Sequence, residues 1–193
     1  MKLNRKFYSR NTIKAARDLL GCFLVRQYKG KIIKAMITET EAYRGEYDLA
    51  CHASRGKTDR TEIMYGAPGH AYVYMVYGMH FMLNIVTEEK NFPAAVLIRG
   101  AEVLSENRNP KPSFRLRLDG PGKLTKFLHV DKTFNGHNMT KGKKVWLEYP
   151  KTKRKFRIIK SPRIGIDYAK HCKSWKWNFK AVNCQPNENA RVD

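Results

Sequence analysis

The sequence lacks the cysteine and histidine spacings of the common metal sites. Its four cysteines form no Cys-x-x-Cys pair, and its six histidines form no His-Glu-x-x-His motif. Paired-cysteine zinc sites, iron–sulfur clusters and zincin-type protease sites therefore lack their usual pattern. We expect the cysteines to be reduced and mostly packed in the interior. They are Cys22, Cys51, Cys172 and Cys184.

Long apolar segments are also missing. The longest apolar run, residues 71–86, is shorter than the ~20 residues of a membrane-spanning helix, and it contains Gly78, His80 and Asn84. The basic start, MKLNRKFYSR, is followed by NTIKAARDLLG rather than by the apolar core of a signal peptide. We expect a cytoplasmic protein without a membrane partner, associated with the nucleoid if it is bacterial.

Acidic residues are scarce. Lys and Arg number 38 against 17 Asp and Glu, which gives a formal net charge of +21. Such an excess attracts polyanions and says nothing about the fold. Nucleic acid is the leading candidate partner, while an anionic membrane surface or lysine-rich codon usage would explain the same excess.

The 193 residues, 42% of them hydrophobic, suffice for one globular domain covering 1–193. Asn11 or Thr12 can cap a helix through Leu20, and Lys29-Gly30 can join two strands. Residues 44–70 resemble a long loop with at most a short helix. The basic segment 105–118 is expected to be a mobile loop, and the tail from Gln185 to be frayed.

Residues 71–77 and 79–87 predict a second strand pair, hinged near Gly78. The chain shows no internal repeat and no alternation of strands and helices typical of parallel sheets. We therefore predict an α+β fold: a curved antiparallel sheet with short surrounding helices and a protruding β-hairpin.

The second strand pair carries three tyrosines. Because side chains alternate along a strand, Tyr72 and Tyr74 share one face and Tyr77 adjoins the turn. Tyr72 is expected to belong to an ordinary aromatic strand core. A ring at the tip of an apolar hairpin has little core around it, and suits insertion between the base steps of a duplex.

The segment ITETEAY places Glu39 and Glu41 on one face of a predicted strand, although two carboxylates on a solvated surface would give the same pattern. His52 falls in the glycine-bearing loop. Arg99 lies in an otherwise apolar strand and needs an acidic partner, since an unpaired buried charge is costly. Glu41 or Glu39 is the natural candidate.

Several blocks together resemble the alkyladenine (3-methyladenine) DNA glycosylase family. They extend over about residues 7–180, in the order RDLLG, ITETEAYRGEYDLACHASRGKTDR, APGHAYVYMVYGMHFMLNIV, AAVLIRGAE, DGPGKL and SPRIGIDYA. The resemblance implies a base-excision-repair enzyme without metal or organic cofactor, and a monomer is the default for a domain that must wrap one duplex. Such an enzyme flips a damaged purine out of duplex DNA and hydrolyses its N-glycosidic bond. The substrate class is 3-methyladenine, 7-methylguanine, hypoxanthine and ethenoadenine, and no lysine falls at a matched lyase position.

The resemblance also implies roles for individual residues. Glu41 would activate the attacking water, and Arg99 would hold Glu41 and that water. In the substrate pocket, Tyr43 and His52 would be the two walls that stack on the base, and Tyr74 would line the edge. Asn84 would crowd the position of a guanine 2-amino group. DNA would be contacted by the intercalating Tyr77, by Met79 beside it and by Lys123 at a predicted helix start, where a solvated surface lysine is the alternative.

One departure from the family pattern concerns the site. Asn178 stands where an arginine usually follows the tryptophan, so a substitute for that arginine is needed. Two other functions are compatible with parts of the pattern: a nucleic-acid-binding module without catalysis, and a metal nuclease using Glu39, Glu41 and Asp48.

Overall fold

The computed structural model describes residues 1–104, 115–150 and 155–185. Nine strands of these residues form one curled antiparallel sheet, and the helices are few and short, which confirms the α+β prediction. The strands are β1 (Phe23–Tyr28), β2 (Lys31–Arg44), β3 (Ala71–Val76), β4 (His80–Val86), β5 (Ala94–Leu104), β6 (Arg115–Asp119), β7 (Val145–Glu148), β8 (Lys155–Ser161) and β9 (Asn178–Gln185). The α-helices are α1 (Arg5–Tyr8), α2 (Thr12–Asp18) and α3 (Pro121–Phe127). Four 3-10 helices cover His52–Arg55, Glu62–Tyr65, Lys132–Phe134 and Lys170–Ser174.

The cap of α2 and the turn between β1 and β2 form where the sequence predicts them. The Asn11 side chain accepts hydrogen bonds from the N–H groups of Ile13 and Lys14 and so caps α2. Lys29 and Gly30, with φ of 46° and 74°, form the turn between β1 and β2. Two positive φ values in a two-residue turn match the twist of an antiparallel hairpin. The predicted cap and the predicted turn are both confirmed.

Strand β2 has different neighbours along its length. Its first part pairs with β1, while Glu39–Glu41 lies between β5 on one side and β9 on the other. The pairing of β2 with β5 shifts register on both sides of Glu39. One unpaired residue is thereby left on each strand, and on β5 it is Arg99. Because such bulges redirect side chains, the irregularity can aim Arg99 at the carboxylates of β2.

The core lies on the side of the sheet that faces the α-helices. It includes Ala15 and Ala16 of α2, Leu83 of β4 and Leu124 of α3, all fully buried. The strand pair of β3 and β4 divides its side chains as predicted: Val73 belongs to this core, whereas Tyr72 packs in a separate cluster with Tyr74 against it.

The basic segment is partly a strand. Residues 105–114 lie outside the described part of the chain, as do 186–193 of the predicted frayed tail. The expectation of a loop is wrong for residues 115–118, which belong to β6 and pair with β5. Leu116 and Leu118 alternate with Arg115 and Arg117, and both leucines pack against the core, so burial of one face holds this strand in place.

Candidate active site

Glu41 is a buried carboxylate with fixed hydrogen-bond partners. Its side chain is fully buried, and Oε1 accepts from the backbone N–H of Ile164 at 2.9 Å and from Asn178 Nδ2 at 2.9 Å. The Tyr43 hydroxyl donates to Oε2 at 2.8 Å. These donors hold the carboxylate in one orientation, and it lines a cavity.

Glu39 lies beside Glu41 and shares its partners. Arg99 Nε is 3.2 Å from Glu39 Oε1 and 3.6 Å from Glu41 Oε1, so Arg99 pairs with both candidates rather than with one. Asn178 Nδ2 also donates to Glu39 Oε1 at 2.8 Å. The amide of Asn178 therefore bridges the two carboxylates from β9. Lys180, two residues further along β9, adds a longer ion pair of 3.7 Å to Glu39 Oε2.

The cavity next to Glu41 has a volume of about 370 Å³. Seven of the nine site residues predicted from the sequence line it, and Met79 and Lys123 do not. The seven are Glu41, Tyr43, His52, Tyr74, Tyr77, Asn84 and Arg99. Asn84 is buried, and its Nδ2 donates to the Tyr72 carbonyl at 3.1 Å, which fixes the amide within the wall.

One wall of the cavity is aromatic. The rings of His52 and Tyr74 meet edge to face with centroids 4.6 Å apart, and His52 Nδ1 is 2.8 Å from the Tyr72 hydroxyl. Burial, together with the charges of the nearby Arg60 and Arg55, lowers the pKa of His52 to about 4. The imidazole is therefore neutral at pH 7 and offers an uncharged ring to the cavity.

Tyr72 is a site residue that the sequence interpretation missed. It is 2% exposed, as expected of a core tyrosine, yet its ring also lines the cavity and its hydroxyl contacts His52. The available signal was the two-residue spacing from Tyr74, because both rings share one face of β3.

The tip of the hairpin of β3 and β4 is exposed and apolar. Tyr77 is 90% exposed and Met79 69% exposed. Tyr77 and Gly78 both have positive φ, 52° and 67°, and the N–H of Met79 closes the turn onto the Val76 carbonyl. An aromatic residue is uncommon in this backbone region. The ring of Tyr77 therefore projects from a tight turn with little contact to the rest of the protein.

A buried ion pair lies against Tyr43 of the cavity wall and was also missed. Arg163 donates to both carboxylate oxygens of Asp48, at 2.5 and 2.7 Å, and both side chains are fully buried. Its guanidinium lies 4.8 Å from the Tyr43 ring centroid and 5.1 Å from a Trp177 ring. The next residue, Ile164, donates its N–H to Glu41. Arg163 thus packs against Tyr43, and the residue after it binds the carboxylate of Glu41.

The two remaining predicted residues lie outside the cavity. Lys123 is exposed on α3, two residues after Pro121, which does line it. Met79 lies on the other side of the hairpin turn from Tyr77. Their predicted contacts with DNA remain predictions.

The carboxylates of the metal-nuclease alternative are engaged in ion pairs with arginines, Glu39 and Glu41 with Arg99, and Asp48 with Arg163. Over the described ranges, no group of three or more His, Cys, Asp or Glu side chains is arranged to hold a metal ion. In the same part of the chain, no helix is long and apolar enough to cross a membrane.

Comparison with known proteins gives consistent matches over nearly the whole chain. Residues 6–183 match the family described as Methylpurine-DNA glycosylase. Proteins named "Putative 3-methyladenine DNA glycosylase" include one from Desulfitobacterium hafniense, 42% identical over 95% of this chain and 97% of that relative. A second, from Methanocella arvoryzae, is 44% identical over 94% of this chain and 92% of its own. A third, from Carboxydothermus hydrogenoformans, is 45% identical over 88% and 91%.

Proposed function

The chain belongs to the Methylpurine-DNA glycosylase family, and from this premise we propose how its site releases a damaged purine. Membership makes it a DNA glycosylase, a hydrolase acting on N-glycosyl bonds. We propose that it extrudes alkylated or deaminated purines from duplex DNA, as a monomer associated with DNA, and hydrolyses the bond with a water activated by Glu41. The observation that carries this proposal is a fully buried carboxylate at the wall of an aromatic cavity, next to an exposed aromatic hairpin tip.

The aromatic walls fit the base. The extruded purine stacks between Tyr43 and the neutral ring of His52, with Tyr74 at the edge. Arg163 covers one face of Tyr43, so the base takes the other face. Purines alkylated on a ring nitrogen are cationic and are attracted by aromatic faces. Asn84, fixed in the wall by its own hydrogen bond, crowds the position of a guanine 2-amino group.

The chemistry needs one carboxylate. As the bond from the sugar C1′ to the purine nitrogen breaks, its electron pair leaves with the base and positive charge develops on the sugar. Glu41 stabilises that charge, and its oxygen takes a proton from the water that bonds to C1′. Arg99 pairs with both Glu39 and Glu41, so the two carboxylates share one cation.

Neutral lesions make an additional demand. A cationic alkylated purine leaves as a neutral base, but hypoxanthine must take up a proton as it leaves. Because the pKa of His52 is lowered to about 4, this imidazole is a poor proton source at pH 7. We therefore expect cationic purines to be released faster than hypoxanthine at neutral pH.

A panel of lesions tests the proposed activity. Duplexes carrying 7-methylguanine, hypoxanthine or ethenoadenine are incubated with the protein and EDTA, and abasic sites are revealed by hot alkali. We expect release of at least one damaged purine, no release of normal adenine, and no strand scission before alkali. Strand scission that requires magnesium, or intact purines throughout the panel, would contradict the proposal.

Tyr77 tests the extrusion step. Replacing Tyr77 by alanine removes the ring that fills the gap in the duplex, and should weaken lesion-duplex binding and slow base release roughly 5- to 150-fold, the equivalent of ~1–3 kcal/mol of base stacking. Since the ring is 90% exposed, the urea midpoint should not change. Release from single-stranded substrate, which has no gap to fill, is the control. An equal loss on both substrates would argue against intercalation.

A further inference from the structure

A second cavity, of about 760 Å³, opens on the other side of the hairpin tip. We call it the distal groove. Its lining comes from the turn of β1 and β2, the start of β4, helix α3 and the loop after it. Lysines, histidines, aromatic rings and one carboxylate line it, with Arg26 beneath them.

The distal groove is strongly cationic. Lys29, Lys126 and Lys144 are exposed around it, and the side chains of His80 and His129 are exposed as well. Asp131 is the one acidic residue among its lining residues. The Asp131 carboxylate is already occupied by the N–H and hydroxyl of Thr133, at 2.9 and 2.6 Å.

Arg26 adds a buried charge beneath the groove. It is 6% exposed and donates to four backbone carbonyls, those of Gln27, Leu128, His129 and Lys144. Within the described residues it forms no direct ion pair, and the Asp131 carboxylate of the groove acts on its charge only at longer range. A buried cation of this kind maintains a positive potential in the groove above it.

The groove also has apolar and aromatic surface. Tyr28 and His129 stack with ring centroids 4.1 Å apart and an interplanar angle of 16°. Phe81, Phe134 and the exposed Met79 line the same space. Phosphate charges next to deoxyribose rings match such a mixture of lysines and flat apolar surface.

The hairpin tip separates the distal groove from the base cavity. The two cavities share no lining residue, yet Tyr77 lines one and Met79 the other, and Pro121 lines one and Gly122 the other. A Cβ on Gly122 would come within 3.1 Å of the His80 side chain, so α3 packs tightly against the hairpin at this boundary. Close contact between α3 and the hairpin therefore forms the boundary between the two cavities.

We propose that the distal groove binds the sugar–phosphate backbone of the undamaged strand. This inference depends on the proposed function, in which Tyr77 occupies the gap left in the damaged strand. With the damaged strand delivering its base to the cavity on the Tyr77 side, the complementary strand passes on the Met79 side. There it meets Lys29, Lys126 and Lys144.

Removing charges from the protein and, separately, from the DNA tests the proposal. The variant K29Q/K126Q/K144Q removes three cations of the groove, and K6Q/K14Q/K90Q removes three exposed lysines as the matched control. The control lysines lie away from the tip: Lys6 and Lys14 belong to α1 and α2, and Thr12 of α2 bonds to Glu88, at the far end of β4. Binding is measured with lesion duplexes that carry uncharged methylphosphonate linkages near the lesion, in either the undamaged or the damaged strand.

We expect methylphosphonates in the undamaged strand to weaken binding by the wild type and the control, but not by the groove variant. Loss of three phosphate contacts also reduces the magnitude of the negative slope of log K against log salt by about 2.7. Between 50 and 200 mM salt, the wild type would then weaken about 40-fold more than the groove variant. Thermal unfolding of the variants verifies that they fold.

Two results would overturn the assignment. In one, methylphosphonates in the undamaged strand weaken binding by the groove variant as much as binding by the wild type. In the other, the groove variant loses sensitivity only to methylphosphonates in the damaged strand. Base release by the wild type, measured on the same duplexes, tests the glycosylase proposal independently of the groove. If the wild type releases the lesion while the groove variant keeps the wild-type salt slope, the glycosylase proposal survives and the groove assignment fails.

Discussion

Replacing Glu41 by glutamine should slow base release about 10²- to 10⁴-fold, the usual contribution of a positioned general base, and leave lesion-duplex binding unchanged. The amide oxygen can still accept from the Ile164 N–H and from Asn178. What is lost is the negative charge beside the sugar and the proton acceptor for water. Single-turnover release with EDTA, together with an equilibrium binding assay, measures the two effects separately.

Glu39 offers a matched control, because the two carboxylates share Arg99 and Asn178 but only Glu41 lines the cavity. Glu39→Gln keeps an acceptor for Asn178 and removes one partner of Arg99. We expect a much smaller loss of release rate than in Glu41→Gln. If the Glu39 variant were the slower of the two, the assignment of the base would have to be reversed.

Replacing Asp48 by alanine should lower the free energy of unfolding by roughly 3–5 kcal/mol, because it leaves a buried guanidinium without a counter-ion. Asp48 and Arg163 are both fully buried at their side chains, and Asp48 also accepts from the N–H groups of Arg44 and Ala50. Since Arg163 packs on Tyr43, base release should fall even under conditions in which the variant stays folded. Urea denaturation measures the loss of stability.

A double replacement separates the cost of an unpaired buried charge from the cost of the lost hydrogen bonds. Replacing a buried ion pair by apolar residues is often near neutral, so Asp48→Leu with Arg163→Met should be more stable than Asp48→Ala alone. A double variant less stable than the single one would show that the surrounding hydrogen bonds, rather than the unpaired charge, dominate the cost.

Much of the architecture follows from local signals in the sequence. The cap at Asn11 and the turn at Lys29-Gly30 are short-range features with one favourable geometry each. The alternation of Tyr72, Val73 and Tyr74 likewise determines which side chains face the cavity. The segment at residues 115–118 was misassigned because its arginines suggested a solvated loop, whereas Leu116 and Leu118 already had the two-residue period of a half-buried strand.

The site was less predictable where it depends on pairing between distant segments. An arginine after a proline carries no local sign that it will meet Asp48, 115 residues away. Likewise Asn178 is 137 residues from Glu41, and only the placement of β9 beside β2 shows that its amide bridges both carboxylates. Asn178, which stands where the family pattern has an arginine, thus contacts Glu39 and Glu41 through its side-chain amide.

The charge distribution was predictable only in total. A net charge of +21 indicates a polyanionic partner, but it does not show where the partner lies. The distal groove gathers Lys29, Lys126 and Lys144 from three separate parts of the chain, around Arg26 of β1. Such clusters depend on the curl of the sheet, which no single segment encodes.

Glu41 is proposed to stabilise positive charge on a sugar held in the aromatic cavity. The most direct measurement compares binding to two uncleavable duplexes, one with a cationic pyrrolidine in place of the deoxyribose and one with neutral tetrahydrofuran. The wild type should prefer the cation by at least about tenfold, or ~1.4 kcal/mol, and Glu41→Gln should lose that preference. Equal affinity of the wild type for the two duplexes, or an undiminished preference in the variant, would contradict the account.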